Sequence, residues 1–218
     1  SIGGKTGVNT RAGKNLIGAI HPPVLVIDDV DVLQTLPPRE LRQGFAEIMK
    51  HAIIADAEMF RMLQGVDVAK INFVALIERN IAIKSAIVTK DARDQTGERA
   101  LLNFGHTVGH AIERAGEYRQ LLHGEAVSLG IVAACNVSMK RTGLPREQRD
   151  AIVDLLRRFE LPVRLPRDFP RGKILAALKF DKKFQQGAIR FVVTARIGSA
   201  HLSRDVTLDD IGEAVDEL

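Results

Sequence analysis

The segment Leu102–Glu125, LNFGHTVGHAIERAGEYRQLLHGE, gathers three of the chain's six histidines into one short span. His106 and His110 stand four apart, so on a helix they share a face, about 6 Å apart along the axis. A polar turn containing Gly116 follows, and His123 heads the next apolar run, where a returning chain can bring its imidazole beside the first two. Neutral imidazole is the commonest protein ligand for transition metals, which makes a divalent metal site the first reading. An HxxxH spacing alone is weak evidence, because a helical histidine is more often a surface or satisfied core residue. Catalytic zinc generally takes three protein ligands, often two histidines and one carboxylate, and keeps one position open. A carboxylate from elsewhere in the chain is therefore required.

Upstream, PRELRQGFAEIMKHAII from Pro38 has helical periodicity, with proline well placed at the first helical residue. A break near Asp56 precedes DAEMFRMLQ, and a long helix is expected from about Asn72 to Lys90. Polar DARDQTGER separates it from the histidine helix. Downstream, GEAVSLGIVAACNVSMKR reads as a helix ended by Gly143 and Pro145, followed by the amphipathic PREQRDAIVDLLRRF and a short helix at ILAALKF. DKKFQQG is a polar turn into AIRFVVTA, a strand by its β-branched content, with ARIGSAHLS as its hairpin partner and LDDIGEAVDEL as a closing helix. The opening residues, rich in Gly, Lys and Asn and ending in Pro22 and Pro23, read as loops and turns, and Val24–Asp29, VLVIDD, as a short buried strand. A lone parallel-type strand cannot cover its faces or satisfy its edges, so VLVIDD is expected to be the last strand of a sheet whose other strands lie outside this sequence.

With 218 residues, 45% of them hydrophobic, the chain can bury a sizeable core. Its net charge of +4 arises from 31 basic and 27 acidic residues that are interspersed, a pattern that suits an anionic small molecule better than nucleic acid. No tryptophan and one tyrosine, Tyr118, leave no set of aromatic platforms for single strands. The single cysteine, Cys135, excludes an internal disulfide framework and reads as a buried structural thiol in a reducing cytoplasm. No run approaches the roughly 20 apolar residues of a membrane span.

GFAEIMKH, Gly44–His51, supplies the wanted carboxylate at Glu47, with Lys50 three residues on and on the same helical face. The ordered set SIGGKTGVNT, GKN, AEIMKH, R-x-x-LNFGHTVGH, HGEA and DKK with Gly187 resembles the 3-dehydroquinate synthase family across nearly the whole sequence. Each motif is weak by itself; the order makes the set specific. The match is to the C-terminal part of that family. The resemblance implies a mainly α fold: residues 1–36 as the tail of an N-terminal α/β NAD-binding domain, and residues 37–218 as a multi-helix metal and substrate domain with a small β-hairpin.

The resemblance further implies that Glu47, His106 and His123 bind Zn2+ or Co2+, while His110 faces the substrate and handles protons or phosphate. Only one member of the HxxxH pair is then a ligand. The implied substrate is a seven-carbon sugar acid phosphate, with Lys50, Lys84, Arg99 and Asn103 at its reacting and carboxylate side. Lys5, Asn15 and one of Lys182 or Lys183 fall at its phosphate, and Lys5 and Lys14 face the cofactor. The family's reaction oxidises a ring hydroxyl with NAD, eliminates phosphate, returns the hydride and closes a carbocycle. A homodimer is implied for the complete enzyme, and this chain by itself is expected to be inactive. Other sugar phosphate cyclases and metal-dependent polyol dehydrogenases are the nearest alternatives, and a non-catalytic, metal-stabilised oligomerisation module is the alternative of another class. A metalloprotease is disfavoured, because HTVGH has no glutamate base within the motif.

Overall fold

The computed structural model describes residues 2–10, 13–91, 96–179 and 189–218. In chain order its elements are strands β1 (Val8–Thr10) and β2 (Gly13–Ile17), helices α1 (Pro38–Ala55), α2 (Ala57–Gly65), α3 (Phe73–Lys90), α4 (His106–Ala115), α5 (His123–Thr142), α6 (Arg146–Arg158) and α7 (Arg171–Lys179), strands β3 (Phe191–Arg196) and β4 (Ser199–Ser203), and helix α8 (Leu208–Asp216). No described helix is long and apolar enough to cross a membrane. The chain divides into two compact units, Ser1–Thr35 with Ile71–Arg99, and Leu36–Lys70 with Ala100–Leu218.

In the first unit, β1 and β2 form an antiparallel hairpin with Val8 opposite Ile17 and Thr10 opposite Gly13. The Gly- and Asn-rich opening, expected as loops and turns, is thus partly a strand pair, extended by the Lys5–Ile20 bridge and the Thr6 N–H donating to Ala19 O at 3.0 Å. Val24–Asp29 forms no strand, contrary to expectation. The physical reason is that a strand needs a neighbour to accept its ladder, and Val24, Leu25 and Ile27 stand exposed instead. Asn72 caps α3 by accepting from Ala75 N at 3.1 Å. At its other end the Asp91 carboxylate accepts backbone N–H bonds from Thr96, Gly97 and Arg99.

The second unit is built around α5. From Gly124 to Ser138 nearly every side chain of that helix is buried, as an apolar helix requires when neighbours cover it on all sides. α1, α4, α6, α8 and β3 pack against it. Gly143, at φ +70°, ends α5 in the left-handed conformation glycine adopts without strain. The approach of α4 depends on Gly130, where a Cβ would stand 1.9 Å from Gly105 O, a distance no side chain survives. Asp56 terminates α1 and caps α2 by accepting from Met59 N, the break read from the sequence. β3 and β4 pair antiparallel, Val193 opposite His201. Cys135 is fully buried, and burial pushes its thiol up to about 12, so it is an inert core group.

Candidate metal centre

Three helices of the second unit deliver the site. Glu47 lies in the middle of α1, His106 is the first residue of α4, and His123 the first of α5. Gly105, at φ +77°, turns the chain into α4 in close contact with Ile131, so the start of α4 is fixed against α5. The start of α5 is fixed against α1 by residues one turn apart on one stripe of that helix. Arg39 makes a two-point contact with Glu125, at 2.6 and 2.7 Å, and Gln43 Oε1 accepts from Gly124 N at 2.9 Å. Glu47 follows one turn later. Glu125 also accepts from Leu122 N at 2.8 Å, closing the first turn of α5.

At the centre a single carboxylate oxygen faces two imidazoles. His106 Nε2 lies 3.1 Å and His123 Nε2 3.4 Å from Glu47 Oε1, and the three residues have ligand atoms within 4.8 Å of one another. Around a tetrahedral ion with bonds of about 2.0–2.1 Å, adjacent ligand atoms are separated by roughly 3.3 Å. The donor set and spacing therefore fit a divalent metal held by two histidines and a carboxylate. The buried Lys50 donates to the other oxygen, Glu47 Oε2. Burial opposes ionisation of Glu47, but hydrogen bonds with His106 and His123 and the Lys50 charge outweigh it and hold the carboxyl well below its usual range.

Both rings are braced from behind. His106 Nδ1 lies 3.2 Å from Phe104 O, and His123 Nδ1 lies 3.2 Å from Glu113 Oε2. Hydrogen bonding to Glu113, and then to Glu47, pushes His123 up to about 9. His110 is exposed, its ring centroid 5.3 Å from that of His106 and 6.1 Å from that of His123. It does not join the Glu47 cluster, although His110, Glu113 and His123 form a second group within 4.8 Å. A cavity of 300 Å3 opens beside His110, between Thr107, Arg114 and Tyr118.

The other expected residues fall as follows. Lys50 joins the Glu47 cluster, and Asn103 is exposed at the end of a 3-10 turn, Glu98–Asn103. In the first unit, Lys84 is half-buried on α3, Lys5 is exposed, and Lys14 and Asn15 fall on β2. Arg99 is buried: its Nη2 donates to Gly3 O at 2.8 Å, while Nη1 is buried with no hydrogen-bond partner among the described residues. A buried guanidinium N–H left unpaired is uncommon and suits an anionic partner. Lys182 and Lys183 lie outside the described residues. Sequence reasoning missed Arg39, Gln43, Glu113 and Glu125. The spacing of four from Arg39 to Gln43 to Glu47 was available as a signal; nothing local marked Glu113.

Fold and site together define a helical domain in which two histidines and a carboxylate converge in a set that fits a divalent metal. A 2-epi-5-epi-valiolone synthase from Streptomyces hygroscopicus subsp. jinggangensis 5008, solved with NAD+ and Zn2+ bound, is similar over 99% of this chain and 61% of its own, at TM-score 0.87 and 31% identity. A 2-deoxy-scyllo-inosose synthase shares the fold at TM-score 0.84 and 24% identity, over 98% of this chain and 61% of its own. The family model described as 3-dehydroquinate synthase C-terminal matches residues 44–184, and that described as 3-dehydroquinate synthase N-terminal matches residues 1–43. The chain belongs to the 3-dehydroquinate synthase family. The 3-dehydroquinate synthase of Methylacidiphilum infernorum is 40% identical over the whole chain, and that of Coxiella burnetii 44% over 94% of it. The chain spans 60% and 59% of the lengths of these two relatives.

Proposed function

We propose that the chain is the metal- and substrate-binding part of a 3-dehydroquinate synthase, the lyase that converts 3-deoxy-D-arabino-heptulosonate 7-phosphate to 3-dehydroquinate and phosphate. The observation that carries this reading is the convergence of His106 and His123 on Glu47 Oε1 within a chain of this family. Glu47, His106 and His123 hold zinc, or cobalt in its place. When bound, the metal supplies a Lewis acid for the substrate's hydroxyl oxygens. The chain's own residues position and neutralise the substrate. The unpaired Arg99 Nη1 favours a substrate carrying a carboxylate over a plain polyol, since an arginine so placed gains most from an anion. Lys84 and Lys50 stabilise charge that develops near the carboxylate end, with Asn103 beside the histidine motif. Lys5, Asn15 and Lys182 or Lys183 take the phosphate. His110, exposed beside His106, moves protons at the substrate.

The described residues do not by themselves fit NAD. They contain two antiparallel strand pairs, whereas a dinucleotide sits at the carboxyl ends of a parallel sheet with a glycine-rich turn. Lys5 and Lys14 are proposed to face the cofactor when such a sheet is supplied, and the chain alone is proposed not to turn over. The test joins this chain to the N-terminal remainder of the Methylacidiphilum infernorum relative and follows phosphate release and 3-dehydroquinate formation with zinc and NAD. Turnover is expected for the fusion and not for the chain alone. A fusion that cyclises another sugar phosphate, or oxidises a polyol, in preference to the sugar acid phosphate sinks the substrate assignment. Turnover by the chain alone at the relative's rate sinks its dependence on a separate dinucleotide sheet.

A further inference from the structure

Glu113 stands behind His123, at the ring nitrogen opposite the one that faces Glu47. It lies on α4 with 3% of its surface exposed, and a carboxylate buried that deeply is costly unless bonded. Its Oε2 lies 3.2 Å from His123 Nδ1, while Nε2 of the same ring lies 3.4 Å from Glu47 Oε1. The ring is thus strung between two carboxylates carried by different helices, one at each nitrogen. A histidine ligates a metal only as the neutral imidazole, with one N–H and one lone pair. With the N–H at Nδ1, it is donated to Glu113 and the lone pair is offered beside Glu47, where the metal set converges. The other tautomer would set a lone pair against the buried Glu113 carboxylate. His106 obeys the same rule, with Nδ1 against Phe104 O at 3.2 Å and Nε2 toward Glu47.

We propose that Glu113 is a positioning residue for the metal centre, holding His123 as the Nδ1–H tautomer so that Nε2 is the ligating edge. The proposal rests on the metal-centre reading given above. The grouping of His110, Glu113 and His123 raises a different use for the same carboxylate, as a ligand of a second ion. The ring chemistry disfavours it: a second ion would need the Nδ1 lone pair while Nε2 serves the first, and a neutral imidazole has only one. A carboxylate behind a metal-bound histidine orients the ring and raises its basicity, and its loss typically weakens metal binding 10- to 100-fold.

The experiment measures zinc affinity by competition calorimetry and the tautomer of His123 by 15N NMR of histidine-labelled, zinc-loaded chain. It compares the wild type with Glu113→Ala, Glu113→Leu, Glu113→Gln and Glu47→Ala. The leucine variant fills the volume without charge or acceptor, so the reading is taken on whichever of the alanine and leucine variants keeps its helical circular dichroism. Expected are one zinc per wild-type chain, a roughly 10- to 100-fold weaker Kd in that variant, loss of the Nδ1–H signal pattern of His123, and recovery of both in Glu113→Gln, whose amide oxygen can still accept. An unchanged Kd and unchanged tautomer overturn the proposal. So does a wild-type chain that binds two zinc ions and loses one in the Glu113 variants, which makes Glu113 a ligand. If Glu47→Ala leaves zinc binding unchanged, the metal centre itself is misassigned and the proposal falls with it; if Glu47→Ala abolishes binding while Glu113 variants do nothing, the role of Glu113 alone is wrong.

Discussion

The two ends of α5 each carry a cluster of charges, and the clusters differ in what completes them. At the C-terminal end Asp210 is met by permanent donors: Arg141 Nε at 2.7 Å, Lys140 Nζ at 3.0 Å, and the backbone N–H and hydroxyl of Thr207, each at 2.8 Å. Burial opposes ionisation of Asp210, but the Thr207 backbone bond and the Arg141 contact outweigh it and hold the carboxyl far below its usual range. Lys140 also pairs with Glu213 at 2.5 Å. A cavity of 560 Å3 adjoins this cluster, yet these lining charges are already paired with one another. At the N-terminal end, Glu47 Oε1 faces two imidazole nitrogens that are donors only when they carry a proton and metal ligands when they do not. Size and polarity of a cavity are therefore poor guides in this molecule. What separates the two clusters is whether the groups around the carboxylate are fixed cations or exchangeable lone pairs.

The strongest way to break the comparison is to remove one carboxylate from each end. Glu47→Ala is expected to weaken zinc binding by at least about 100-fold, because it deletes one of three ligands, and to abolish the zinc-induced rise in Tm. Asp210→Ala is expected to leave zinc Kd unchanged and to lower the unfolding free energy by about 2 kcal/mol. That figure discounts the value for a fully buried pair, since Lys140 and Arg141 are 48% and 33% exposed. Calorimetry and urea unfolding of both variants give the four numbers, and zinc affinity that responds equally to both substitutions would erase the distinction.

The Asp210 cluster also has a sign in pH. Its folded pKa lies below the unfolded value of about 3.9, so its contribution is fully present above that value and is lost as pH falls through it toward the folded pKa. Metal-free wild type should thus lose stability below about pH 3.9 more steeply than metal-free Asp210→Asn, which has no proton to take up there. Parallel urea midpoints for the two proteins from pH 5 downward would contradict this.

Most of the helical framework was legible because its punctuation is local. Pro38, Asp56, Asn72 and Gly143 each stop or start a helix through their own backbone or side-chain chemistry, within a residue or two of the expected place. The juxtaposition of Glu47, His106 and His123 was legible in part for the same reason, since each sits in a short motif. Two kinds of feature were not. The hairpin of β1 and β2 lacks the alternating apolar pattern that marks a strand, and Val24–Asp29 has that apolar character without a partner to make it one. Glu113 and Glu125 act across helices, Glu113 on His123 and Glu125 on Arg39, so their roles depend on how α1, α4 and α5 pack rather than on any spacing along the chain.

The smallest predicted effect tests how far the brace around the metal centre extends along α1. Arg39 and Gln43 hold the first turn of α5 through Glu125 and Gly124, so the position of His123 relative to Glu47 depends partly on those contacts. Arg39 is 60% exposed, which limits the pair to at most about 1 kcal/mol of stability. Glu125→Gln keeps the acceptor for Leu122 N but loses the charge that matches the guanidinium fork. It should weaken zinc binding no more than several-fold and lower the zinc-free Tm by a few degrees at most. Since screening by salt acts on exposed pairs, the zinc affinity of wild type should drift toward that of the variant as ionic strength rises, while Glu113 variants keep their full deficit. A Glu125→Gln deficit as large as that of Glu113→Ala would place the controlling contact on α1 rather than on α4, and the order of the two braces would be reversed.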